Sequence, residues 1–173
     1  DGKISSLDDR RWIEDLSPQY YGGIGNTLIY RNLSLDIFFQ FKKQKAFNTL
    51  ATVTTPGFNV NGPVTLLDRW QQIGDENPIM RAVSGLDPSV FDVIDYQRES
   101  NAAVSDASFI RLRNISLTYK IPKNLSNGLD LSIYLQGQNL LTISGYDGPD
   151  PEQSSQTILP PLRQITLGVQ LGF

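Results

Sequence analysis

Residues 162–173 (LRQITLGVQLGF) alternate without a break: Arg163, Ile165, Leu167, Val169, Leu171 and Phe173 fall on one face, and Leu162, Gln164, Thr166, Gly168, Gln170 and Gly172 on the other. A period of two is that of an extended strand, whose successive side chains point to opposite sides of a sheet. Beyond Arg163 the first face is branched or long and apolar. Beyond Leu162 the second is amide, hydroxyl or glycine. Such a strand needs an apolar medium on one side and a polar one on the other. A half-buried strand of a soluble antiparallel sheet meets that need, and so does the wall of a barrel with lipid outside and water inside.

The same split recurs upstream. Residues 130–142 (DLSIYLQGQNLLT) set Leu131, Ile133, Leu135 and Leu141 against Ser132, Tyr134, Gln136 and Gln138. Residues 114–121 set Ile115, Leu117, Tyr119 and Ile121 against Asn114, Ser116, Thr118 and Lys120, while residues 109–113 change phase, with Ile110 and Leu112 apolar and Arg111 and Arg113 charged. That change reads as the strand leaving the lipid zone. Residues 33–41 (LSLDIFFQF) set Leu33, Leu35, Ile37, Phe39 and Phe41 against Ser34, Asp36, Phe38 and Gln40, and a glycine-rich strand at residues 20–30 precedes them. Five strands are therefore expected, near 20–30, 33–43, 108–121, 130–142 and 162–173.

The connections alternate in length. Arg31 and Asn32 make one tight turn, and residues 122–128 (PKNLSNG) a second, because proline cannot donate to a ladder and Asn-Gly favours positive φ. The connection over residues 144–161 is longer and carries four prolines, and residues 44–107 show no sustained period. Two helical turns fit residues 65–72; Pro56, Pro63, Pro78 and Pro88 punctuate an otherwise irregular stretch. Short turns at one end and long loops at the other are the plan of an outer-membrane barrel, all-β and antiparallel up-and-down, with the long loops outside the cell. Five strands with open edges cannot stand alone in a bilayer, where every backbone polar group must be paired. A piece of a larger wall is expected.

Composition narrows the chemistry. The 173 residues carry a net charge of −3, with 19% charged residues, 14 glycines, 10 prolines, no cysteine and no histidine. There is no basic footprint for nucleic acid, no thiolate metal site, and no histidine for a nucleophilic or general-base mechanism. Loop carboxylates exist, but no spacing singles out an acid and a base, so no catalytic residue is expected. No run of about 18 apolar residues is present to form a membrane helix. The chain opens on Asp1-Gly2-Lys3 without an initiator methionine, and a fragment or processed product is expected from that.

Several stretches, taken in order, resemble one family, the SusC-like TonB-dependent outer-membrane transporters of the Bacteroidetes type. Residues 108–119 (SFIRLRNISLTY) with Ile121 and Pro122 are similar to its late wall segments, residues 134–141 (YLQGQNLL) to its sGqNLf element, residues 147–152 (DGPDPE) to its GyDPE loop, and residues 159–173 to its closing strand. Residues 20–30 (YYGGIGNTLIY) and 68–75 (DRWQQIGD) resemble an upstream strand and an element of its large loop. The resemblance implies the last five strands of a 22-stranded plugged barrel, part of a transporter that imports glycan or peptide fragments. Its implied partners are the rest of the barrel with the N-terminal plug, TonB acting through that missing part, a SusD-like surface lipoprotein, and membrane lipid.

Individual residues carry narrower expectations. Leu35, Ile37, Phe39, Leu117, Tyr119, Ile133, Leu135, Ile165, Leu167, Val169 and Leu171 are expected to face lipid. Phe173 resembles the terminal aromatic that barrel-assembly machinery reads as an insertion signal. Asp1-Gly2-Lys3-Ile4-Ser5 followed by Asp8 has the spacing of the back half of a calcium loop, with Asp1 and Asp8 as ligands of an incomplete site. Apart from calcium at that incomplete loop, no cofactor is expected. Trp70, Tyr146, Asp147 and Asp150 sit in the long loops, where aromatic planes and carboxylates suit a sugar, a peptide or a partner. Arg111, Arg113 and Lys120 are expected to snorkel to headgroups or line the lumen. The alternative is a soluble β-sandwich binding module. Its outer face would carry Lys, Glu and Thr, in place of the Gln, Ser, Asn and Gly found here.

Overall fold

The alternating segments become five long strands of a single sheet. A computed structural model describes residues 4–5, 7–84, 88–153 and 158–172. It places β1 over Tyr20–Tyr30, β2 over Leu33–Lys43, a short β3 over Lys45–Phe47, helix α1 over Pro88–Arg98, a short β4 over Val104–Asp106, β5 over Phe109–Ile121, β6 over Asp130–Ser144 and β7 over Gln164–Gly172. The long strands pair antiparallel in the order β1-β2-β5-β6-β7. Strands β2 and β5 are thus neighbours, and the long connection between them is an insertion at one end of the sheet. Among the described residues no helix is long and apolar enough to cross a membrane.

Turn chemistry fixes the short end. Tyr30 pairs with Leu33 across a two-residue turn in which Arg31 takes φ 54°. Between β5 and β6 the chain closes through Leu125 N to Pro122 O at 2.8 Å and Gly128 N to Lys123 O at 2.9 Å, with Asn127 at φ 52° and Gly128 at φ 87°. Asparagine and glycine tolerate that left-handed conformation better than other residues.

The large insertion is more ordered than its sequence suggests. Strands β3 and β4 pair through Lys45↔Asp106, Ala46↔Ser105 and Phe47↔Val104, extending the β2–β5 ladder beyond a break at Gln44. The Lys43 ammonium donates to Asp106 at 2.5 Å; with further hydrogen bonds from Ser108, it holds the Asp106 carboxyl down at about 2. Instead of two helical turns over 65–72, there is a 3₁₀ turn over Val64–Asp68 that ends where Arg69 becomes extended. Helix α1, which the pattern did not predict, ties the insertion together. Arg98 Nη2 donates to Val53 O at 2.7 Å, Tyr96 Oη to Ile4 O at 2.7 Å, and Arg10 pairs with Glu99 at 2.6 Å.

Burial of apolar side chains is confined to this end among the described residues. The buried apolar side chains among the described residues are Ala46, Val53, Ile79, Ile94, Ala103, Ala107 and Phe109, all in or beside the insertion. The body of the sheet has no core: Leu28, Ile133, Leu135, Ile165, Leu167 and Val169 are exposed. A sandwich needs two sheets packed face to face. The only second sheet among the described residues is the β3–β4 pair, so the sandwich alternative is set aside.

Candidate functional site

Register turns the one-dimensional alternation into two faces. Leu28, Leu35, Leu117, Leu135 and Leu167 stand in one row across all five strands. The adjacent rows are Tyr30, Leu33, Tyr119, Ile133 and Val169 on one side, and Asn26, Ile37, Ile115, Gly137 and Ile165 on the other. Phe39 aligns with Leu112, and Leu131 with Leu171. Each such side chain gains about 1.5–3 kcal/mol on full transfer out of water. A face this wide therefore calls for an apolar medium.

The opposite face is amide and hydroxyl. Thr27, Asp36, Ser116, Gln136 and Thr166 form its central row, flanked by Ile29, Ser34, Thr118, Tyr134 and Gly168. Thr27 Oγ1 donates to Asp36 at 2.6 Å. The Tyr134 ring occupies the space over Gly168 so closely that a Cβ there would stand 2.3 Å from it. The glycine lets an aromatic lie flat on the wall.

Arg113 explains the change of phase in β5. Phe38 pairs with Asn114 and Phe39 with Leu112, so Arg113 is an additional residue in the ladder, a β-bulge. Across it Ile110 and Leu112 remain aligned with Phe41 and Phe39, and Arg111 with Gln40 and Thr142. The phase change is therefore not the strand leaving the lipid zone, as the sequence suggested; the apolar face continues past the bulge. On β6 the opposing Asn139 adopts φ 53°.

The bulge puts two arginines beside a folded-over loop. Arg111 is 1% exposed and is the largest fully buried side chain described. Its Nη2 lies 2.6 Å from Asp150 Oδ2, its Nη1 2.7 Å from Glu152 Oε2, and its Nε donates to Thr142 Oγ1 at 3.0 Å. The guanidinium also stands 5.2 Å from the centre of the Phe109 ring. Arg113 Nη2 pairs with the other Glu152 oxygen at 2.5 Å, and its remaining donors reach Gln40 Oε1 and Asn139 Oδ1. Charge balances across the four groups, as burial of an ion requires. The loop is fixed further along its length: Thr49 Oγ1 donates to Asp147 at 2.8 Å, Tyr146 Oη to Phe47 O, and Gln44 Nε2 to Pro151 O.

The residues singled out from sequence divide accordingly. Tyr146, Asp147 and Asp150 come together on the docked loop. Asp150 is 5% exposed and engaged with Arg111, while Asp147 remains on the surface. Trp70 is separate: half-buried, with its backbone N donating to Ile79 O at 2.8 Å, it lines an open hollow with Met80 and Val93. Asp8 accepts from Ser5 Oγ at 3.2 Å. Asp1 and Phe173 lie outside the described residues, and among the described residues no acidic cluster is arranged to hold a metal. Lys120 is exposed at the short-turn end, where Asn32 Nδ2 donates to its carbonyl at 3.0 Å. Snorkelling is ruled out for Arg111, which is sealed beneath the loop. Sequence reasoning missed this pairing, although two arginines at a phase change and an Asp-Pro-Glu loop were both in view.

Comparison with known proteins gives a consistent answer. The chain is similar to TonB-dependent receptor P3 of Formosa agariphila, 28% identical over 190 residues, which is 99% of this chain and 18% of the receptor. It is similar to TonB-dependent receptor P26 of the same organism, 30% identical over 196 residues, 98% of this chain and 18% of the receptor. Its structure resembles that of the RagAB peptide importer in the open-open state, with TM-score 0.74 and 25% identity, covering 100% of this chain and 19% of that one. The chain therefore spans under a fifth of the length of the curated relatives it matches. No protein-family model matches it.

Proposed function

We propose that the chain, a segment of the barrel of the SusC-like TonB-dependent receptors, is part of an outer-membrane transporter that takes up peptide or glycan fragments. Uptake is powered through TonB, and the barrel works with a SusD-like surface lipoprotein. The observation that carries this reading is the uncovered apolar face, in register across five strands and backed by an amide-rich wall. Lipid satisfies the first face, and a polar lumen the second. Likeness to a peptide importer favours peptide among the two solute classes. On this reading the chain performs no chemistry on the solute; its strands hold the bilayer and its docked loops shape the outer mouth.

The test is made on the full-length protein in its native host. It should partition with outer membranes, require detergent for extraction and show the heat-dependent electrophoretic mobility of a barrel. Cells lacking it should lose uptake of a labelled peptide mixture or glycan mixture. Recovery of the full-length protein in the soluble fraction refutes the proposal.

A further inference from the structure

We propose that Arg111 and Arg113 form a carboxylate-binding site which the chain fills with its own Glu152, and that an anionic solute exchanges with Glu152 there. The inference rests on the transporter function proposed above, because it needs the polar face to border the path of a solute. Glu152 shows what the site accepts. Its two oxygens are divided between two guanidiniums, at 2.7 Å from Arg111 Nη1 and 2.5 Å from Arg113 Nη2. Any carboxylate of that planar shape makes the same pair of charge-assisted bonds.

The two halves of the cluster differ in access. The side chains of Arg111 and Asp150 are 1% and 6% exposed, whereas those of Arg113 and Glu152 are 29% and 25% exposed. The Arg111–Asp150 pair is sealed, and the Arg113–Glu152 pair is partly exposed. Exchange therefore leaves Arg111 neutralised by Asp150 throughout, and the arriving carboxylate replaces the departing one at Arg113. No buried charge is stranded, which is the event that makes opening an ion pair costly. An uncharged solute cannot make this exchange.

The surroundings fit an exchangeable occupant. The loop backbone is held up to the point where Glu152 branches: Gln44 binds the Pro151 carbonyl, and Asp150 Oδ1 accepts from Glu152 N at 2.9 Å. Only the Glu152 side chain has to rotate. Arg113 is steadied by two neutral amides, Gln40 and Asn139, which orient its plane without cancelling its charge. The recognised chemistry is a carboxylate, whether of an acidic peptide or of a uronic-acid oligosaccharide.

Binding is measured on the full-length transporter in detergent with triglutamate and trigalacturonate, each beside an uncharged counterpart, triglutamine and galactotriose. In E152Q the internal competitor is gone while its volume remains. At least one acidic probe is expected to bind about tenfold more tightly than to the unmodified protein, with its neutral counterpart unchanged. The probe that responds identifies the source of the carboxylate. R113Q is expected to abolish the preference for acid over neutral probe. The proposal is overturned if neither acidic probe binds E152Q more tightly, or if neutral and acidic probes tighten together. Membrane partition and heat-dependent mobility are recorded on the same samples. If these are normal while the probes fail, the site is refuted and the transporter stands; if the unmodified protein is soluble, the transporter reading itself falls.

Discussion

Replacing Asp150 with asparagine should undock the loop that follows β6, and the geometry sets the size of the effect. Asp150 and Arg111 meet at 2.6 Å with both side chains almost fully buried. Their attraction is about 6 kcal/mol at an effective dielectric of 20, and it offsets a desolvation cost of several kcal/mol per ion. The pair as a whole is thus close to neutral for stability, whereas removing one partner of such a pair costs about 3–5 kcal/mol. Arg111 keeps Glu152 at 2.7 Å and Thr142 at 3.0 Å, which lowers our expectation for D150N to about 2–3 kcal/mol. That corresponds to a loop-opening constant raised roughly 30- to 150-fold. Amide hydrogen exchange on the full-length protein reads this directly over residues 145–153, where Tyr146 N is held by Ser144 Oγ at 3.1 Å and Glu152 N by Asp150 Oδ1 at 2.9 Å. R111Q should have a comparable effect, because it leaves two neighbouring carboxylates without their shared cation. The double variant should cost at least about 1 kcal/mol less than the sum of the two, as expected for residues in direct contact. Exchange in D150N within twofold of the unmodified protein, or strict additivity in the double variant, refutes the argument that this pair anchors the loop.

Charge on the two faces should have opposite consequences: Leu135→Arg enters the apolar row and should cost about 2–4 kcal/mol near a bilayer midplane. Gln136→Arg, one residue away on the amide face, should be close to neutral, and denaturant unfolding in lipid vesicles compares the two. Gly168→Ala places a Cβ 2.3 Å from the Tyr134 ring and should cost about 1–3 kcal/mol through overpacking. Adding Tyr134→Ser should restore most of that loss in the same assay. Asp106 is held down at about 2 against an ordinary 3.8, chiefly by Lys43. A depressed carboxyl stabilises the fold fully above its unfolded value and loses that contribution as pH falls through the folded one. Protection of the β3–β4 pair should therefore weaken between about pH 4 and pH 2, and D106N should show reduced protection at neutral pH and little further loss on acidification, measured by hydrogen exchange corrected for intrinsic rates.

The strands were legible because their alternation is continuous and the two faces differ in kind. The fifth was expected over 162–173 and is observed over Gln164–Gly172, and the fourth runs on to Ser144. The ends moved because pairing with a neighbour, which a single segment does not display, decides where a strand stops. Helix α1 was missed for a definite reason. Ile94 is buried while Val93 beside it is 53% exposed, and the apolar positions Val90, Phe91, Val93 and Ile94 end at Asp95, so the stripe is too short to stand out in the sequence. Asp87-Pro88-Ser89 is nevertheless a helix-start signal, although Pro88 reads equally as loop punctuation. The ionic cluster was illegible for another reason. Arg111 and Glu152 are 41 residues apart in sequence, and local patterning says nothing about which loop folds back onto which strand. Asp150 reads in the sequence as a loop carboxylate suited to a ligand, while its pairing with Arg111 depends on a tertiary approach.

Arg113 shows how one inserted residue serves both faces of the wall. If Arg113 is left out of the count, residues 110–121 alternate without a fault: Ile110, Leu112, Ile115, Leu117, Tyr119 and Ile121 are all on the apolar side, and Arg111, Asn114, Ser116, Thr118 and Lys120 on the polar side. The amphipathic strand is therefore complete without it, and the bulge adds nothing to the apolar face. What it adds is a second guanidinium next to the first, on a stretch of wall that the loop carrying Asp150 and Glu152 reaches. An additional residue leaves a ladder position unpaired and interrupts the register. That local loss is tolerated where the residue gains partners, and Arg113 gains Glu152, Gln40 and Asn139. Bulges concentrate beside functional sites because they re-aim a side chain that regular pairing would misplace. Here the re-aimed side chain is the solvent-reachable half of a buried ionic cluster, so the phase slip in the sequence marks the place where the wall stops being only a wall.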